Sequence, residues 1–128
     1  MRFICFVKAN AKSEAGIPES PETMEEMRKG TEELMKAGVM VATDGLQPSS
    51  KGARVRFDPS GSRRSVTDGP FPETKELIAG YAILQVRSKE EAIEWVKRMP
   101  HPHPGEETEV EIRALYELAD LHALHEKK

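Results

Sequence analysis

Apolar residues recur along this chain with two different periods, and segments of one kind alternate with segments of the other. Phe3, Cys5 and Val7 form one period-two set and Ile4 and Phe6 the other, so Phe3 to Val7 reads as a strand covered on both faces and central in its sheet. The polar stretch Asn10 to Glu19, with Gly16 and Pro18, reads as a loop. It ends at Ser20, an N-cap residue, with Pro21 at the first helical position. Met24, Met27, Thr31, Leu34 and Met35 then recur at helical spacing as one stripe, and Gly38 supplies the stop. Gly30 within the helix costs about 1 kcal/mol relative to alanine.

Val39 to Thr43 reads as a short strand, broken by Asp44-Gly45 and Gln47-Pro48-Ser49-Ser50. Arg54 to Phe57 alternates, Asp58-Pro59-Ser60-Gly61 turns the chain, and Arg64 to Thr67 returns, which predicts a hairpin. Ala79 to Val86 is apolar on both alternating sets and is expected to pair near the first strand. Ser88-Lys89-Glu90-Glu91 has the form of a capping box, followed by a helix with Ala92, Val96 and Met99 buried, Trp95 at the margin and Pro100 as its end. After an extended His101 to Gly105 loop, Val110 to Leu118 reads as a last strand with a bend near Ala114-Leu115, and 119–128 as a weakly amphipathic helical tail. The order is β-α-β, hairpin, β-α-β, with both helices on one face of an antiparallel sheet and Met24, Met27, Leu34, Met35, Ala92 and Val96 against the inner strands. Two helices cover one sheet face only, so the second apolar face predicts a homodimer with sheets packed face to face.

Composition sharpens this picture little. The 128 residues suit a single domain, and a net charge of −3 with 32% charged residues provides no basic field for nucleic acid. No apolar run approaches a membrane span and the N-terminus lacks the form of a signal peptide, so a cytoplasmic location is expected. Cys5, the single cysteine, sits in an apolar strand and reads as a small buried side chain rather than a nucleophile.

Candidate chemistry concentrates in Thr67 to Glu76. Gly69 opens backbone angles closed to other residues, whereas Pro70 and Pro72 fix two φ angles, so the loop is stiff. Phe71 is expected to anchor it to the core, with Asp68, Glu73, Lys75 and Glu76 around it. Asp68 then has two uses open to it, as a carboxylate held for work at a cleft or as a cap for a helical turn over Glu73 to Leu77. Arg54, Arg56, Arg63 and Arg64 crowd the hairpin, either as an anion site or as a solvated strand face, and no aromatic residues interleave as nucleic-acid stacking requires. His101 and His103, with Glu106 and Glu107 nearby, are the one candidate metal chelate; prolines between them and the want of a third ligand at fixed spacing weigh against it. His122 and His125 read as surface residues.

Asp68-Gly69-Pro70-Phe71, then Glu73-Thr74-Lys75-Glu76 and Gly80-Tyr81, resembles the signature of the DGPF-domain proteins, a branch of the YCII-related family. Gly38-Val39 leading to Gly45-Leu46-Gln47-Pro48, and Glu91-Ala92-Ile93-Glu94-Trp95, are similar to the same family, so the likeness runs from about Phe3 to Glu117. It implies an α+β, ferredoxin-like fold of the dimeric α/β-barrel type and no established reaction. The wider family is associated with a proposed His and Asp pair, the histidine in the first half of the chain; here no histidine precedes His101. DGPF-type domains are also associated with extracytoplasmic-function sigma factors. The expectation is a domain that binds a small polar or anionic molecule in a dimer cleft, with Asp68 as candidate acid/base and Arg54, Arg56, Lys75 and Tyr81 as candidate ligand-binding residues. No metal, cofactor, membrane or direct nucleic-acid partner is expected. The alternative is a non-catalytic regulatory or interaction module.

Overall fold

A computed structural model describes residues 1–126. In chain order the elements are β1 (Arg2–Lys8), α1 (Ala11–Glu14), α2 (Pro21–Lys36), β2 (Met40–Gly45), β3 (Ala53–Phe57), β4 (Arg64–Asp68), β5 (Ile78–Gln85), α3 (Lys89–Lys97), β6 (Val110–Ala114) and α4 (Leu118–Glu126), with short 3-10 turns at Ser49–Lys51 and Thr74–Glu76. Four strands make an open antiparallel sheet in the order β2-β5-β1-β6. β1 is an inner strand, as its two apolar sets require: Phe3 and Cys5 stand opposite Leu84 and Ala82 of β5, and Cys5 also opposite Ile112 of β6. These residues join Leu34 of α2 and Ala92 of α3 in one buried cluster, so both helices lie on the same face of the sheet.

Local chemistry places the helices. Ser20 Oγ accepts the Thr23 amide at 3.2 Å and Pro21 follows at the first position. α2 stops where Gly38 takes φ 73°, a left-handed angle that an L side chain resists. Ser88 Oγ accepts the Glu91 amide at 3.1 Å, but Glu91 reaches back past Ser88 to the Arg87 amide, so the expected capping box is only half formed.

Several sequence expectations need correction. Met24 and Met35 do not face the strands; they are 57% and 48% exposed, and α2 buries Leu34, as expected, together with Gly30. The cause is a close approach: a Cβ on Gly30 would lie 2.7 Å from Pro100 Cδ, so the bare α-carbon lets the chain beyond α3 rest on α2. Asn10 to Glu19 is not all loop, since Asn10 and Ser13 cap each other's amides to form α1. β2 continues through Asp44 to Gly45, which pairs with Gly80. The last strand ends at Ala114, where the alternation was expected to fail. α4 covers most of the anticipated tail and buries none of its residues; positions 127 and 128 of that tail lie outside the described residues.

Alternation puts Ile4 and Phe6, with their partners Ile83 and Tyr81, on the face turned away from α2 and α3. All four are half-buried, and neither helix covers them. Among the described residues no helix is long and apolar enough to cross a membrane.

Candidate functional site

β3 and β4 form a two-stranded ribbon separate from the main sheet, and every residue in both strands is exposed. The ribbon leads into the stiff loop, and what that loop touches defines the site. Gly69 N–H donates to Gly52 O at 3.0 Å, and a Cβ on Gly69 would meet the Ser49 carbonyl oxygen at 1.8 Å, so the two backbones are in direct contact. The Phe71 amide donates to Ser49 Oγ at 3.0 Å. Ser49 in turn donates its hydroxyl to Glu14 Oε2 and its amide, at 3.0 Å, to Glu14 Oε1. One serine thus joins α1, the 3-10 turn at Ser49–Lys51 and the loop, and its carboxylate partner is fixed by two donors.

Beside this junction lies an open groove of about 580 Å³, lined among others by Glu14, Ser49, Lys51, Arg54, Phe71 and Glu76, so two cationic side chains share its wall with two carboxylates, one of them engaged by Ser49. That volume falls within the roughly 300–1,000 Å³ of ordinary small-molecule sites. The Arg54 guanidinium carbon stands 3.7 Å from the centroid of the Phe71 ring, and Arg54 Nη2 is 3.2 Å from Glu73 Oε2. The hydrogen bond from Arg54 holds the Glu73 carboxyl below its usual range. Both partners are exposed, so the pair is cheap to open, and a ligand anion can take the place of Glu73 on the guanidinium fork.

The sequence-derived candidates are spread over separate places. Asp68 ends β4 exposed, and among the described residues its carboxylate has no hydrogen-bond or ion-pair partner. It does not cap the turn at Thr74–Glu76, whose N-cap is Glu73 without a side-chain bond. In the ribbon register Asp68 stands opposite Ala53 and Arg54 opposite Thr67, so period-two alternation directs Asp68 and Arg54 to opposite faces. Arg56 lies further out, around a shallow pocket with Asp58, Arg63 and Arg64. Lys75 lines a different pocket, with Lys8 and His103. Tyr81 is on the uncovered sheet face and donates its hydroxyl to Asp44 Oδ2 at 2.8 Å, an acceptor that raises the phenol's pKa.

His101 and His103 also part company. His103 is buried, with Nδ1 3.0 Å from Glu19 Oε1 and Nε2 3.1 Å from the Lys8 carbonyl, while its amide donates to His101 Nδ1 at 3.0 Å. Its ring nitrogens are therefore engaged in structure. Among the described residues no three His, Cys, Asp or Glu side chains stand together as a metal cluster. Glu14 and Ser49 were not singled out from the sequence. The Asn10-to-Ser13 capping pattern was the one local signal that Glu14 sits on an ordered helix.

Comparison with known proteins adds a family and a relative. Residues 1–116 match the model of the YCII-related domain. The chain is 26% identical over 119 residues to an uncharacterized protein of Rhizobium meliloti (strain 1021), covering 92% of this chain and 94% of that one.

Proposed function

The chain belongs to the YCII-related family, and from that premise we propose that it is a DGPF-type, ferredoxin-like homodimer that binds a small polar or anionic molecule in the groove beneath Phe71. The sheet order β2-β5-β1-β6 supports the ferredoxin-like reading. The uncovered face with Ile4, Phe6, Tyr81 and Ile83 supports pairing of two sheets into the barrel that one open sheet lacks.

The observation that carries the ligand reading is Arg54 laid on Phe71 at the wall of a groove of about 580 Å³. The ring and the Ser49 junction keep the guanidinium in place, so little side-chain freedom is lost when an anion binds. Binding is favoured over proton transfer by Asp68, whose carboxylate is exposed and, among the described residues, has no hydrogen-bond or ion-pair partner.

The test is a thermal-shift screen of small carboxylates and phosphomonoesters against the wild type, Arg54→Ala and Asp68→Asn, with sedimentation run alongside. A ligand that stabilises the wild type and Asp68→Asn but not Arg54→Ala is expected, on a dimeric protein. Binding lost in Asp68→Asn and kept in Arg54→Ala would overturn the groove and return the site to Asp68. Asp68→Ala should leave the melting temperature unchanged, as the side chain caps nothing. An intact dimer with no saturable ligand would favour the non-catalytic interaction module.

A further inference from the structure

A second cavity, of about 240 Å³, lies between the helices and the sheet and shares no lining residue with the groove. Its wall includes Cys5 and Val7 of β1, Met27 of α2, Val96 of α3, Met99 just beyond it and Val110 of β6. Among the described residues no carboxylate, ammonium or guanidinium lines it, and its polar groups are the Thr108 hydroxyl and the His101 ring. The exposed residue of the wall is His101, with half-buried Pro102 next to it, which puts the entrance at this segment.

The segment is held on both sides as a strap. Before it, Pro100 rests on Gly30, where a Cβ would come within 2.7 Å of Pro100 Cδ. After it, buried His103 bonds Glu19 and the Lys8 carbonyl through its two ring nitrogens, at 3.0 and 3.1 Å. The space beneath is thus framed by fixed backbone.

Protein interiors rarely leave voids much larger than a water molecule, and an apolar void offers water too few partners to hold it. A dry cavity of about 150 Å³ already accommodates benzene. Met27 and Met99 contribute thioethers, which adapt in shape and make favourable contacts with aromatic edges. We propose that this cavity is a binding site for a small neutral aromatic molecule of one or two rings, admitted past the His101–Pro102 strap. The proposal goes beyond the groove and does not depend on it.

Toluene is the probe, with benzoate as its charged counterpart. In protein carrying ¹³C-methyl methionine, toluene should shift the Met27 and Met99 signals saturably while exposed Met1, Met24 and Met35 stay in place; benzoate should shift neither. Val96→Phe fills the cavity and should weaken toluene binding about tenfold or more, because the ring loses most of the apolar area it would bury. Arg54→Ala, which alters only the groove, should leave toluene binding intact. Non-saturable or absent shifts at Met27 and Met99 in the wild type would overturn the site, and equal shifts with benzoate would overturn its ligand class. Unchanged affinity in a folded Val96→Phe would move binding elsewhere; if that variant does not fold, the wild-type titration decides.

Discussion

Gly69→Ala is the sharpest single perturbation of the groove, because it adds one methyl group at the point where the loop touches Ser49. The added Cβ would lie 1.8 Å from the Ser49 oxygen, 2.6 Å from its carbonyl carbon and 3.3 Å from the Ser50 amide nitrogen, all backbone atoms. Ser49 cannot retreat freely, since its amide and hydroxyl are bound to Glu14 and its carbonyl accepts the Gly52 amide at 2.9 Å. The loop must move instead, which endangers the bonds from Gly69 N–H to Gly52 O and from Phe71 N–H to Ser49 Oγ. Overpacking costs about 1–3 kcal/mol and each lost bond about 0.5–1.5. Gly69 is not among the glycines of positive φ, so alanine incurs no left-handed strain, and it recovers about 0.4–1 kcal/mol by restricting the unfolded chain. A net loss of about 2–4 kcal/mol is expected in urea unfolding, or roughly 3–5 °C of melting temperature per kcal/mol. Gly45→Ala is the control: it too lacks a positive φ, and a Cβ there meets nothing within 4 Å, so it should match or slightly exceed the wild type. The loop could also detach locally at lower cost, in which case the Phe71 amide would lose its protection from hydrogen exchange. Gly69→Ala equal to the wild type in both unfolding midpoint and Phe71 protection would refute the contact.

Two further predictions bear on the core. Gly30→Ala should destabilise the protein despite the gain of about 1 kcal/mol in helix propensity, because its methyl group displaces Pro100; a urea midpoint above that of the wild type would refute the close approach. Burial pushes the Cys5 thiol up to about 11. At pH 8 only about one native thiol in a thousand is then ionised, and an aromatic disulfide reagent should label Cys5 far more slowly in the folded than in the urea-unfolded chain. The folded value lies above the unfolded one, so the stability held by the neutral thiol is intact below about pH 9 and declines as pH rises towards 11. That decline should be absent from Cys5→Ala.

Most of the architecture could be read from local pattern. Double-sided apolar alternation marked β1 as an inner strand and β5 as a strand pairing near it, and Ser20-Pro21 with Gly38 bracketed α2 to within two residues. Failures came where a tertiary contact outweighed the pattern. The α2 stripe contains five candidate core positions, yet which of them is buried depends on how the helix leans. That lean is set by Pro100, seventy positions from Gly30, and a glycine in mid-helix reads from sequence only as a cost. α1 was missed because four residues carry no apolar periodicity, and its order comes from one pair of side chains, Asn10 and Ser13.

The site divides along the same line. Stiffness in Gly69 to Pro72 was legible, but its object was not: it holds a bare α-carbon and the Phe71 amide against Ser49, 22 positions away, and through Ser49 against Glu14, 35 positions further back. Ser49 has no local feature that marks it, and the Asn10–Ser13 pair marks only the helix on which Glu14 sits, not its bond to Ser49. One element was within reach of the sequence. If Phe57 faces Arg64 across the turn, as the expected strand limits require, every cross-strand pair joins an odd-numbered to an even-numbered residue. Asp68 then shares a face with Val55 and Phe57, and Arg54 and Arg56 occupy the other, as the observed register has it. A carboxylate and a guanidinium divided by the ribbon cannot act on one ligand from the same side of it. Within one chain the choice between them is therefore a choice between two sites, and the stacked, anchored Arg54 has the groove.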